Sequence, residues 1–129
     1  MNRSAVRWLF GVAGLYDGLL GIAFLFAGQS IFVRFGVPPP NHWGYIQFPS
    51  LLLIAFALLF FQVAAAPEAN RNLIPYGLML KLSYSGVVVY YWLGEGVPTL
   101  WRPFALIDLV FAALFIWSYQ VLSPTRRSA

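Results

Sequence analysis

Four runs of about twenty mostly apolar residues dominate the chain, and that is the length a helix needs to cross the hydrocarbon core of a bilayer. They extend from about Arg7 to Gly28, Tyr45 to Ala65, Leu73 to Leu93 and Pro103 to Leu122. Composition agrees with this reading. The 129 residues are 60% hydrophobic and 9% charged, where soluble domains carry about 25% charge. Mean hydropathy is +0.74, so a water-soluble globule of this size would lack the polar surface to cover its core. The pattern predicts an all-α fold: an integral membrane four-helix bundle forming one domain over residues 1–129.

Helix-ending chemistry separates the runs. Loop one holds Pro38-Pro39-Pro40-Asn41, which favours an extended backbone. Loop two holds Pro67, Asn70 and Asn72, with Asn72 as a candidate N-cap and Pro75 in the next first turn. Loop three reads Gly94-Glu95-Gly96-Val97-Pro98, while Pro49 and Pro103 fit the first turns of helices two and four. Within loop one, Ile31-Phe32-Val33-Arg34-Phe35 reads either as a segment flat in the membrane interface or as an exposed loop. Trp8, Trp43, Trp92, Trp101 and Trp117 all fall near segment ends, as do Tyr45, Tyr76, Tyr90, Tyr91 and Tyr119. Such belts form where amphipathic rings sit at headgroup level.

Arg3, Arg7, Arg71, Arg126 and Arg127 share one side of this map, against Arg34 and Arg102 on the other. Cytoplasmic loops carry the excess of basic residues, so both termini are expected in the cytoplasm. The first segment resembles a signal peptide in its basic start, but Asp17 interrupts it and no small-x-small cleavage site stands out; it is read as a retained helix. The net charge of +4 comes from dispersed residues and forms no basic stripe, which argues against nucleic acid. No internal repeat supports an inverted-repeat transporter.

Several chemistries are excluded. Without cysteine there is no thiolate catalysis, disulfide, iron–sulfur cluster or cysteine zinc site. The single histidine, His42, rules out a bis-His haem and reads as a surface side chain beside the proline run. There is no Ser/His/Asp arrangement and no phosphate-binding glycine loop. Ser83 and Ser85 read as helix-contact hydroxyls. No catalytic residue, metal or cofactor is expected.

Three ionisable residues lie inside the spans: Asp17, Lys81 and Asp108. Each would cost about 2.5–3.5 kcal/mol at mid-helix facing lipid, so they should face inward and find partners. At about 1.5 Å of rise per residue, Asp17 and Lys81 both lie about 12–14 Å in from the cytoplasmic side, and Asp108 about 7–9 Å further. The level, opposite charges predict an ion pair between helices one and three. Asp108 is expected to join it through Tyr84, another hydroxyl or a water.

Gly11, Gly14, Gly18, Gly21 and Gly28 are placed on the Asp17 side of helix one, and Gly14-x-x-x-Gly18 is a close-packing pattern. Gly77, Lys81, Tyr84, Ser85 and Val88 share a face of helix three; Asp108, Ala112, Phe115 and Tyr119 share one of helix four. Gly14, Gly18, Gly21 and Gly77 are read as packing positions. Helix two is the most lipid-like, with Gln47 and Gln62 near its ends. Phe56, Phe60, Phe61, Phe111 and Phe115 are read as an aromatic surface that meets lipid or partners.

The strings Tyr16-Asp17-Gly18-Leu19-Leu20-Gly21, Asn72-Leu73-Ile74-Pro75-Tyr76-Gly77-x-x-x-Lys81 and Ile107-Asp108-Leu109-Val110-Phe111 resemble those of the small DoxX-like bacterial membrane proteins. The resemblance covers most of the chain in architecture. It implies a multi-pass protein of the bacterial inner membrane. Some relatives are associated with quinone-linked sulfur oxidation or with redox partner subunits. The lack of cysteine means that no thiol-based role carries over.

Three functions stay open at this point. One is a non-enzymatic accessory or scaffold subunit of a larger membrane complex or homo-oligomer, with the buried charges as a structural latch. Another is a small proton-coupled transporter or channel, with the same charges as relay or path. Small multidrug resistance transporters also combine four helices with a buried acid in helix one, but here Lys81 is expected to neutralise it. The third is a quinone- or lipid-binding redox accessory, by analogy alone.

Overall fold

A computed structural model describes residues 2–123. Among these the chain forms four long α-helices and no strand: α1 (Asn2–Arg34), α2 (Gly44–Ala65), α3 (Ile74–Leu93) and α4 (Trp101–Val121), with a single 3-10 turn at Arg71–Leu73 before α3. All four are long and apolar enough to cross a membrane. Arg126 and Arg127 of the orientation argument lie outside the described residues.

α1 is longer than its apolar run at both ends. At 33 residues it measures about 50 Å, against about 30 Å for a hydrocarbon core. Its backbone breaks at Ala27 (φ −127°, ψ 19°), beside Gly28, a poor helix former. The piece beyond the break contains Ile31 to Arg34, so this stretch is helical and not an exposed loop. Its Phe32 is buried against Trp43 (5.1 Å between ring centroids) and Trp101 (5.7 Å). Those two tryptophans thus face inward, whereas Trp8, Tyr45, Tyr76 and Tyr90 are exposed as a belt requires.

The entry into α3 differs from the expected cap. The residue before α3 is Leu73 and no side chain caps the helix, so Asn72 is not an N-cap. The 3-10 turn supplies the entry instead, and Pro75 sits in the first turn where its missing N–H costs nothing. Asn70 works backwards: its amide donates to the Gln62 and Ala66 carbonyls at the end of α2.

The helices associate as two hairpins, α1 with α2 and α3 with α4, which meet each other more sparsely. Glycines allow the first hairpin to close. A Cβ on Gly21 would stand 2.7 Å from the Ser50 carbonyl, one on Gly18 3.4 Å from Ala57 Cβ, and one on Gly14 2.6 Å from the Phe61 ring. One turn back along α1 meets one turn forward along α2, as antiparallel packing requires. Gly11 has nothing within 4 Å and is not part of this contact. In the second hairpin, Gly77 lies against Phe60 and Phe115, and Ser85 Oγ donates to the Ala105 carbonyl at 2.8 Å.

Near the amino-terminal end of the bundle an aromatic core seals the hairpins together. Phe10 stacks on Phe115 at 4.5 Å, and Phe60 meets Phe115 edge-on at 5.2 Å. Val6, Val63, Ile74, Phe111 and Val121 complete it. The expected outward aromatic surface is therefore corrected: Phe60, Phe111 and Phe115 are core, Phe56 is partly buried, and only Phe61 is exposed. Tyr119 leaves the Asp108 face and lies outward, as its place in the aromatic belt expects. It is exposed, with the Arg71 guanidinium 3.6 Å from its ring centroid. At this end arginines satisfy carbonyls left open at helix C-termini: Arg7 Nε donates to Ala64 and Arg71 Nε to Tyr119. Arg3 pairs with Glu68 at 3.1 Å.

Candidate functional site: a buried charge triad beside a cavity

Lys81 stands at the centre of the bundle on the inward face of α3, one turn beyond Gly77. Its ammonium donates to Asp17 Oδ1 at 3.0 Å, Asp17 Oδ2 at 2.9 Å and Asp108 Oδ1 at 3.1 Å. Its short contacts thus go to both carboxylates, with both oxygens of Asp17 on one side of the ammonium. The Lys81 side chain is 0% exposed, that of Asp17 2% and that of Asp108 10%. The Nζ also lies 4.8 Å from the Phe111 ring centroid, 5.2 Å from Tyr16 and 5.7 Å from Phe60. These are cation–π distances.

The expected Asp17–Lys81 pair is present, and it joins the two hairpins. Lys81–Asp108 lies within the second hairpin. Two details differ from expectation. Asp108 is not reached through Tyr84; the Tyr84 hydroxyl donates to the Trp101 carbonyl at 2.9 Å, because its rigid ring extends toward the start of α4. Nor is Asp108 well above its partners. Gly77 meets Phe115 and Ser85 meets Ala105, so Lys81 stands opposite the stretch around Val110. Asp108 is then two positions away, about 3 Å, and the four-carbon lysine stem covers the rest.

On one side of the triad lies the aromatic core. On the other, in the seam between the hairpins, is a cavity of about 240 Å³. All four helices line it: Tyr16, Asp17 and Phe24 from α1, Pro49, Ser50 and Leu53 from α2, Tyr84 from α3, and Trp101, Phe104 and Asp108 from α4, among others. Ser50 spends its hydroxyl proton on the Ile46 carbonyl at 2.7 Å, one turn back in α2. Further along, the Phe24–Trp101 and Phe32–Trp101 contacts, both 5.7 Å, close the cavity toward loops one and three. Sequence reasoning missed Tyr16, Phe24, Trp101 and Phe104. Tyr16 adjoins Asp17 in sequence, but neighbours in a helix point about 100° apart, and only the bundle geometry brings both to one space. The Tyr16 hydroxyl is buried with no hydrogen-bond partner among the described residues.

His42 is exposed, and its Nδ1 accepts the Gly44 N–H at 2.9 Å, so it closes the turn into α2. No group of three or more metal-ligating side chains occurs among the described residues. Compared with protein-family models, curated proteins and solved structures, the chain matches none.

Proposed function

We propose that this chain is a multi-pass protein of the bacterial inner membrane, with its termini and loop two in the cytoplasm, that acts without catalysis as an accessory or scaffold subunit of a larger membrane assembly. The proposal keeps the DoxX-like resemblance, which rests on the strings around Asp17, Lys81 and Asp108. The observation that supports it best is the fully buried ammonium of Lys81, held between two carboxylates. A lysine that is 0% exposed and held between two carboxylates at 2.9–3.1 Å presents no face to a passing substrate. Its bond to Asp17 fastens one hairpin to the other, as a register-setting latch would. The aromatic core below the triad also counts against a continuous ion path.

Two experiments test this. Blue-native electrophoresis and cross-linking in native membranes should find the chain in a discrete particle larger than one or two copies. A chain found only as a free monomer overturns the subunit role. Orientation is tested on the cysteine-free background by Ala69→Cys and Glu95→Cys. An impermeant maleimide should reach position 95 in intact cells and position 69 only after permeabilisation; the reverse pattern overturns the topology.

A further inference from the structure

When all three members are ionised, the two acids and one lysine leave the triad one negative charge in excess. That excess sits on Asp108. Lys81 gives two bonds to Asp17 and only one to Asp108, through Oδ1. Asp108 also has the most exposed side chain of the three, and it lines the seam cavity. Burying a charge without full compensation is unfavourable, so this end of the cavity favours a cation or a hydrogen-bond donor.

The walls point to the same chemistry. The rings of Tyr16, Phe24, Tyr84, Trp101 and Phe104 line the space, and aromatic faces carry negative potential that attracts ammonium groups. Apart from Asp17, Ser50 and Asp108, the rest of the lining is aliphatic. An apolar cavity of about 150 Å³ takes one benzene ring; about 240 Å³ leaves room for a ring with a short aminoalkyl arm. Pro49 and Leu52 of the lining are exposed, Leu52 at 40%, so the α2 side of the cavity is open to the surroundings of the bundle.

We propose that the seam cavity binds a small amphiphilic amine, with its protonated nitrogen on Asp108 and its apolar body among Phe24, Leu53, Trp101 and Phe104. The amine supplies the positive charge that the triad lacks, and Lys81 stays on Asp17. An anion of the same shape would add a second uncompensated charge. A neutral molecule would fill the space and leave the excess in place. This reading stands apart from the accessory role and does not need it.

The test uses the full chain in nanodiscs of zwitterionic phosphatidylcholine, so that lipid charge does not attract the probe. Isothermal titration calorimetry compares three probes of similar size: 2-phenylethylammonium, neutral 2-phenylethanol and anionic 3-phenylpropionate. The ammonium should bind saturably and at least tenfold tighter than the alcohol, and the propionate should not saturate. Asp108→Asn should reduce the preference for ammonium over alcohol to less than threefold while alcohol binding persists. Leu53→Trp fills the cavity without touching a charge and should remove binding of both. If Asp108→Asn does not fold, the three-probe comparison on the parent chain decides by itself. Equal affinity for amine and alcohol overturns the proposal, since the cavity then takes any ring or acyl chain. Amine binding that survives Leu53→Trp unchanged overturns it too.

Discussion

Replacing Lys81 with methionine keeps the length of the side chain and deletes its charge. In the folded chain this removes three hydrogen bonds of 2.9–3.1 Å and leaves two nearly buried carboxylates facing one another without a counter-ion. Breaking a buried ion pair by removing one partner costs about 3–5 kcal/mol. At about 1.4 kcal/mol per decade, that is two to four decades in the unfolding equilibrium. The carboxylates must then take up protons or open the seam between the hairpins. Removing all the charge together is a different perturbation, because nothing is left uncompensated. Asp17→Asn/Lys81→Met/Asp108→Asn should return to within about 1–2 kcal/mol of the parent. Among single variants, Asp17→Asn should cost more than Asp108→Asn, since Asp17 takes two of the three bonds and spans the hairpins. Reversible SDS titration in mixed micelles, followed by far-UV circular dichroism, reads these differences. A Lys81→Met chain that unfolds at the parent's SDS fraction refutes the latch. So does a triple variant that is as weak as Lys81→Met.

Further outcomes follow from packing. Gly77→Ala should destabilise by about 1–3 kcal/mol, because its Cβ would meet Phe60 at 2.5 Å and Phe115 at 3.3 Å. Gly11→Ala, with nothing within 4 Å, should stabilise by about 0.5–1 kcal/mol through helix propensity alone; the same titration compares the two. Phe115→Ala, at the centre of the aromatic core, should cost about 3–5 kcal/mol, and a loss below 1 kcal/mol would mean the core closes around the gap. Ser85→Ala deletes the bond to the Ala105 carbonyl and should cost only about 0.6 kcal/mol, the average for interhelical bonds in membranes; additivity with Gly77→Ala would show that the two contacts act independently.

The Asp17–Lys81 pair was legible without coordinates because opposite charges in lipid must meet, and counting residues from a shared interface places them level. Asp108 was misplaced in height because the same counting assumes that the end of α3 and the start of α4 lie level, whereas their register is decided by Gly77 on Phe115 and Ser85 on Ala105. The aromatic core was misread for a different reason. In water, apolar means inside; in a bilayer both surfaces of a helix are apolar, so Phe60 and Phe115 look no different from Phe61 in sequence. The extension of α1 past Gly28 escaped for a related reason: hydropathy marks the slab a helix crosses, and the helix itself can continue into Arg34.

Sequence alone settled how many long apolar helices there are, roughly where each turns, and that three charges must point inward, because the energetic penalty for a charge in hydrocarbon allows few alternatives. Which helices pair closely, which phenylalanines fill the interior, and that a space remains between the hairpins beside Asp108 were decided only by tertiary packing. Those features depend on the shapes meeting at Gly14, Gly21 and Gly77, and shape complementarity between distant segments leaves no periodic trace in a single chain.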